Sequence, residues 1–451
     1  MASSASKKYE IDMCNGPIFG KLMLFYFPLM LSGILQLLFN AADIVVVGRF
    51  AGNEALAAVG STTSLIHLII NLFIGLSIGA NVLTARYFGA GQKKDLSEIV
   101  HTSILTSLIA GVILVIIGIF VARPILQWMD TPADVIDHSV LYMQIYFIGM
   151  PVTMAYNFGA AILRAVGDTR RPLYYLTIAG VLNVALNMVF VIVFHMGVAG
   201  VALATIISQA LSAALVLLCL MKSEGDYQLR LKELRIVPDK LASMMKIGVP
   251  AGLQSSLFSF SNVIIQSSVN SFGSVAMAGN SAAQNLEGFV YTSMNAFYQA
   301  TISFTSQNYG AKKYKRIGRT MLISLGMVTI IGLVLGNGCF FFSDTLLKLY
   351  SADVEVIKFG MLRLSIIATT YFLCGTMEVM AGGLRGIGYS IIPMIVSLIG
   401  ACAFRIFWIY TAFQEYRALE TIYVSYPISW ILTTGTHLIV FLYGYRKLLK
   451  E

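Results

Sequence analysis

Asp43 is the only acid in an apolar run that begins near position 21, within the segment NAADIVVVGR over 40–49. A carboxylate among aliphatic side chains has two chemical uses: it can take up a proton, or it can hold a small cation with help from neutral oxygens. Such oxygens recur farther along the chain. Asn183 and Asn187 are one helical turn apart and share a face, and Thr205 and Gln209 repeat that spacing. Carboxylate, amide and hydroxyl oxygens together make a hard set suited to a small cation, and the same cluster would suit a proton. Two plainer readings stand beside this one: Asp43 as an interfacial group paired with Arg49, and the asparagines as hydrogen-bonding glue between helices.

The second half of the chain carries different charges in equally apolar surroundings. Gln284 and Glu287 lie in QNLEGFVY over 284–291, and Arg363, Glu378 and Arg405 follow. Arg363 and Glu378 are fifteen residues apart, about 22 Å along one helix, so they do not pair. Glu287 or Glu378 could instead bridge to Arg405. The alternative is that the two glutamates face a cavity and attract an organic cation, with Tyr291, Tyr298 and Tyr371 supplying π faces. An ionisable group inside a membrane helix costs roughly 2.5–3.5 kcal/mol on insertion scales, so each of these positions is a functional candidate.

The elements that must position these groups are membrane spans. Hydrophobic residues make up 57% of the 451 positions and charged residues only 12%, and the mean hydropathy of +0.78 is far above that of a soluble globular chain. A span needs about 20 apolar residues. Such runs lie near 21–45, 55–82, 98–121, 137–161, 171–194, 198–221, 243–268, 276–303, 319–342, 356–381, 389–411 and 422–444. The expected fold is therefore an all-α integral membrane protein of twelve transmembrane helices. Pro28 and Pro250 fall inside the first and seventh runs, where each removes a backbone hydrogen bond and favours a bend. The polar first seventeen residues, with Lys7 and Lys8, lead into the first run without a cleavage pattern, so no removed signal peptide is expected. The five cysteines are scattered without metal-ligand spacing and read as small core residues.

The net charge of +9 follows the topology. With the N-terminus inside, 24 of the 31 Lys and Arg fall in the tails and loops of one side, while Arg49, Arg123, Lys348, Lys358 and Arg417 fall on the other. Basic loops stay cytoplasmic. Both termini are thus expected in the cytoplasm, with lipid as the surrounding partner and no role for nucleic acid.

The chain is also duplicated. LRAVGDTRRP over 163–172 and LRGIGYSIIP over 384–393 match at a shift of 221, which also brings Phe88-Gly89-Ala90 onto Tyr309-Gly310-Ala311. Each copy holds six spans, so the two enter the membrane in one orientation and are related by a pseudo-two-fold axis along its normal. The expected division is an N-terminal lobe over 1–221, a cytoplasmic linker over 222–242 and a C-terminal lobe over 243–451. The paired LRxxG segments read as cytoplasmic elbows, with Arg164 and Arg385 as topological anchors.

Taken together, the NxxD-VGR first helix, the FGAG segment over 88–91, both LRxxG elbows and the duplicated plan resemble the multidrug and toxic compound extrusion (MATE) transporters over nearly the whole length. The resemblance implies a bacterial inner-membrane antiporter, which exports cationic or amphipathic organic molecules in exchange for Na⁺ or H⁺ by alternating access. In the branch resembling the DNA-damage-inducible subfamily, it places the coupling site, with Na⁺ where that is the ion, at Asp43, Asn183, Asn187 and Thr205. Asn187 departs from that branch, which has a carboxylate there. One chain can enclose the cavity, so a monomer without a cofactor is expected. A flippase for lipid-linked saccharides is the alternative of the same fold, and would want a cationic cavity. A polytopic enzyme is disfavoured, because His67, His101, His138, His195 and His437 are dispersed and no acidic metal cluster occurs, and ATP-driven transport is disfavoured because no GxxxxGK[ST] loop occurs.

Overall fold

The computed structural model describes residues 9–129 and 131–450, leaving aside the side chains of Asn53, Leu56, Ser61, Thr63 and Ser64. Lys7 and Lys8 lie outside the described residues. Twelve membrane helices, with short connecting helical turns, make up the described chain. They are α1 (Ile18–Phe50), α2 (Asn53–Ala90), α3 (Lys93–Trp128), α4 (Ile136–Ile148 with Met150–Ala165), α5 (Arg170–Val193) and α6 (Gly197–Lys222). In the second copy they are α7 (Pro238–Asn270), α8 (Ser274–Gly310), α9 (Tyr314–Phe341), α10 (Val354–Thr370 with Phe372–Gly386), α11 (Ile391–Glu415) and α12 (Leu419–Leu448). Most run several residues beyond the spans expected from hydropathy, since a helix does not stop where the hydrocarbon does.

Seven single helices and two bent pairs are long and apolar enough to cross a membrane by themselves. The remaining three, α7, α8 and α12, have the length but carry more polar residues, among them Gln254, Gln266, Asn280 and Glu287. These four find partners inside the protein, Gln254 with Arg385 and the other three with Arg363 or with one another, as a bilayer requires. Large apolar side chains face outward instead: Phe120 and Leu322 are each 73% exposed, which suits lipid as the solvent.

The duplication repeats backbone devices that the sequence match alone does not reveal. Gly52 and Gly273, 221 positions apart, begin α2 and α8 with φ of 89° and 95°. Gly167 and Gly388 close the two LRxxG elbows with φ of 100° and 104°. In both elbows the next amide turns back onto the helix, Asp168 N–H donating to Leu163 O and Tyr389 N–H to Leu384 O, each at 2.9 Å. These are left-handed helix ends that glycine forms without steric strain.

Both α4 and α10, each expected as one span, are broken helices. They bend by 48° and 43°, at Gly149 and at Tyr371. Only the first break has a proline, Pro151. What the two breaks share is a glycine on the helix before: a Cβ on Gly111 of α3 would overlap Pro151 Cα, and one on Gly332 of α9 would stand 2.7 Å from Phe372 Cα. The restarted segment packs backbone to backbone against the neighbouring helix in both copies.

By contacts the chain forms two compact units, Met1–Asp12 with Leu31–Gly252 and Met13–Met30 with Leu253–Glu451. Pro28 and Pro250 lie close to where this division cuts α1 and α7, and both helices run through their prolines without a break in the assigned helix. In the first unit α2 and α7 meet through Gly75 and Gly79 on one helix and Gly248 and Gly252 on the other. Four of the five cysteines are buried and all five are free thiols.

Gly111→Val and Gly332→Val should therefore each lower the melting temperature of the purified protein by the equivalent of about 1–3 kcal/mol, as overpacking does. Gly326→Ala, where a Cβ meets nothing within 4 Å, should leave it unchanged. Equal behaviour of the three in detergent thermal melts would contradict this packing.

Candidate functional site

In the first unit α1, α5 and α6 bring the expected polar residues together. Asn187 Nδ2 donates a short hydrogen bond to Asp43 Oδ1 and a second, at 3.3 Å, to Asn183 Oδ1. Asn183 Nδ2 reaches Thr205 Oγ1 at 3.5 Å, a long contact, and the Thr205 hydroxyl donates to Val201 O at 3.0 Å. Asn187 is fully buried, Asn183 nearly so, and Asp43 is half-buried. No ion pair joins Asp43 to Arg49 among the described residues, so the carboxylate is not the interfacial pair considered above.

Local structure explains why the cluster forms here. The i, i+4 spacing puts Asn183 and Asn187 on one face of α5. Immediately after Asn187 the helix widens into a π-helical turn over Met188–Val193, a feature concentrated at functional sites. On α1 the next turn, Val46 and Val47, is buried in the apolar core with Tyr142 and Phe147, which fixes the azimuth of Asp43.

The donor set has an imbalance. Asn187 uses its amide N–H on the carboxylate, which leaves its Oδ1 buried without a hydrogen bond, and Gln209 Oε1 is likewise buried and unmatched. Unsatisfied buried acceptors are rare and costly. One carboxylate, a carbonyl oxygen without a donor and a hydroxyl fit a monovalent cation or a proton at Asp43. They do not make a site for a divalent or transition metal, and no group of three or more His, Cys, Asp or Glu able to hold one occurs among the described residues.

The second unit holds a different network. Arg363 donates to both oxygens of Glu287, at 2.9 and 2.7 Å, and to Asn280 Oδ1 at 2.8 Å. Tyr423 donates to the same Asn280 oxygen at 3.2 Å, and Asn280 Nδ2 donates to Gln266 Oε1 at 2.8 Å. Glu287 is therefore not a free charge facing a ligand. Its partner is Arg363, and the bridge to Arg405 considered from the sequence does not form with either glutamate. Arg405 instead donates to Ser429 Oγ at 2.8 Å and packs over the rings of Tyr426 and Trp430. Arg385, read above as a topological anchor, is buried and donates to Tyr298 Oη and Gln254 Oε1.

Of the other residues expected at a cavity, Tyr298 is committed to Arg385, and Tyr371 stacks edge-on against Trp430. Gln284 and Tyr291 are exposed. Glu378 is half-buried and, unlike Glu287, makes no hydrogen bond or ion pair among the described residues. Asn280 and Tyr423 were not anticipated. The spacing of Asn280 seven residues before Glu287, two turns up the same face, was the available signal.

A family model described as MatE matches residues 28–189 and matches again over 250–411, once in each copy. The chain belongs to the MatE family. This MatE member is 28% identical over 439 residues to the probable multidrug resistance protein YoeA of Bacillus subtilis (strain 168), spanning 95% of this chain and 94% of that one. It is also 28% identical over 448 residues to the probable multidrug resistance protein YpnP of the same organism, spanning 97% and 98%. A solved MATE structure in complex with MaL6 superposes with a TM-score of 0.92 at 20% identity, covering 98% of this chain and 99% of that one. At that identity the likeness speaks for the fold, and the fold is the twelve-helix, two-lobe MATE architecture. MatE membership makes the protein a multi-pass membrane transporter and not an enzyme.

The Glu287–Arg363 pair predicts a specific pattern of stabilities. Arg363→Met alone should destabilise by about 3–5 kcal/mol, because it strands a buried carboxylate, while Arg363→Met with Glu287→Met should recover most of that loss. Thermal melts of the two variants test this, and a double variant as unstable as the single would contradict it.

Proposed function

We propose that this MatE member is a secondary antiporter of the bacterial cytoplasmic membrane that exports cationic or amphipathic organic molecules in exchange for Na⁺ or H⁺. The observation that carries the proposal is the half-buried Asp43 held by the amide of fully buried Asn187, whose own oxygen has no donor. The multidrug resistance names of the relatives support the substrate class.

The side chains suggest the following cycle. Ionised Asp43 accepts the Asn187 N–H. A proton or Na⁺ arriving at the carboxylate neutralises it and removes the reason for that N–H to point there. Rotation of the Asn187 amide then turns Oδ1 toward the newcomer, matching the oxygen that was unsatisfied and tightening α1 against α5. Pro28 lacks the N–H that would brace α1 on the turn before it, so the helix can bend there as Asp43 changes partner. Release of the ion restores the first arrangement. Binding and release then bias two conformations of the bundle, which is all an ion can do to an equilibrium. The bundle works as a monomer with both termini in the cytoplasm, in line with the basic loops, and Glu378 supplies the second negative charge that draws an organic cation.

Asn187 gives the coupling its character. With an amide where the resembling branch has a carboxylate, Asp43 is the sole charge of the site, so each cycle moves one monovalent ion. The lipid-linked saccharide flippase is the weaker reading, because Arg363 and Arg405 are both buried and engaged and neither is free for a pyrophosphate.

Ethidium accumulation in everted vesicles, with Na⁺ and pH gradients imposed separately, tests the proposal. The expected result is accumulation driven by one of the two gradients and reduced at least about a hundredfold by Asp43→Asn, with unchanged folding. Full transport in the Asp43→Asn protein would remove Asp43 from the mechanism. Asn187→Asp should add a second charge to the site and raise the sodium-dependent gain in melting temperature. An unchanged sodium response would show that the site does not hold the ion.

A further inference from the structure

The FGAG turn and its second-copy counterpart carry opposite electrostatics. In the first copy the turn runs Gly91-Gln-Lys-Lys-Asp95, with Glu98 one turn on, and the acids are engaged: Asp95 pairs with Lys240 and Glu98 with Arg235 at 3.4 Å. At the shift of 221 the second copy reads Lys312-Lys-Tyr-Lys-Arg316, with Arg319 in place of Glu98. Both acids have become arginines and the glycine has become a lysine. Keeping a loop cytoplasmic requires only an excess of basic residues, which the first copy achieves with acids present, so topology does not explain this reversal.

The second-copy turn borders a recess of about 520 Å³ whose lining includes Lys312, Lys315 and Arg319 and no carboxylate among the described residues. Two further cations of the lining are already in use. Lys313 donates to Cys14 O and Asn15 Oδ1, and Arg316 donates to the carbonyls of Met13, Asn15 and Gly16, which fastens the chain before α1 to this turn. Lys312, Lys315 and Arg319 are exposed and make no hydrogen bond or ion pair among the described residues. The recess also has an apolar side, from Ile18, Leu448 and Leu449 at the ends of α1 and α12. The N-terminus of the 28-residue α9 opens at the same place, adding amides that favour an anion.

The backbone singles out Lys312. It stands at φ 55°, the left-handed region where the first copy has Gly91 at φ 67°. A side chain in that region is uncommon and strained.

We propose that this recess is a binding site for the headgroup of an anionic phospholipid in the leaflet that meets the basic loops. Lys312, Lys315 and Arg319 clasp the phosphate, and Ile18, Leu448 and Leu449 receive the start of the acyl chains. Basic pockets at the ends of membrane helices are suited to such lipids. The recess is built from the start of α1, the turn between α8 and α9, the first turns of α9 and the end of α12, so the lipid would tie that basic turn to the ends of α1 and α12.

The full-length protein purified in a neutral detergent, titrated with phosphatidylglycerol, phosphatidylcholine or inorganic phosphate and followed by native mass spectrometry and thermal melting, tests the site. Phosphatidylglycerol should bind and raise the melting temperature, while phosphatidylcholine and free phosphate should do neither. The triple variant Lys312→Gly, Lys315→Gln, Arg319→Gln should lose about tenfold or more in phosphatidylglycerol affinity, and Lys93→Gln with Lys94→Gln should lose little. Lys312→Gly alone relieves the strained backbone, so it should fold at least as well as the parent without lipid yet bind phosphatidylglycerol more weakly. Unchanged affinity in the triple variant, an equal loss in the Lys93 and Lys94 variant, or an equal response to free phosphate would overturn the proposal.

Discussion

A charged or strongly polar side chain inside a bilayer must find its partner within the protein, because the surrounding hydrocarbon offers none. That constraint shapes both copies of the repeat. In the second, Glu287 and Arg363 satisfy each other through a bidentate pair, with Asn280, Tyr423 and Gln266 completing the network. In the first, Asp43 has no Lys or Arg partner among the described residues. It is held by one amide N–H, and that amide keeps an unmatched oxygen in a fully buried place. The two networks differ in kind: one is closed and structural, the other one positive charge short. In the function proposed above, a group left in that condition accepts an ion, and transport follows from letting that ion come and go.

The repeat supplies the scaffold that keeps this imbalance in place. Left-handed glycines at 52 and 273 and at 167 and 388 set the same turns twice, and glycines at 111 and 332 let the bent helices α4 and α10 pack tightly against their neighbours. Duplication fixed the frame, after which the copies diverged where chemistry is done. Ile264 or Ile265 stands near the place of Asp43, and at the shift of 221 Phe404 and Trp408 stand where Asn183 and Asn187 would fall. Divergence at the helix ends has the same pattern, with Asp95 and Glu98 replaced by arginines.

Much of this was readable from residue order. The spans, the duplication and the shared face of Asn183 and Asn187 follow from rules that act locally: apolar length, a constant shift, and four-residue spacing on a helix face. Their grouping with Asp43 and Thr205 as one site was implied by the family resemblance. The bend at Tyr371 was not readable, because no proline marks it and the glycine that packs against it comes from α9. Nor was the choice of Arg363 over Arg405 as the partner of Glu287, since residues 76 positions apart are paired by packing. The burial of Arg385 was missed for a related reason, as its acceptors Tyr298 and Gln254 come from α8 and α7. Local pattern named the actors in these helices, and tertiary packing decided who met whom.

The central claim is that Asp43 exchanges one positive charge for each molecule of organic cation. Substrate binding and ion binding at one group are reciprocally linked, so the exchange is open to direct counting. Purified protein in weakly buffered detergent, titrated with tetraphenylphosphonium while a pH indicator and a sodium electrode are read together, should release about one proton or one sodium ion per molecule bound. The Asp43→Asn protein should release none. Equal release by both proteins would place the exchanged charge elsewhere.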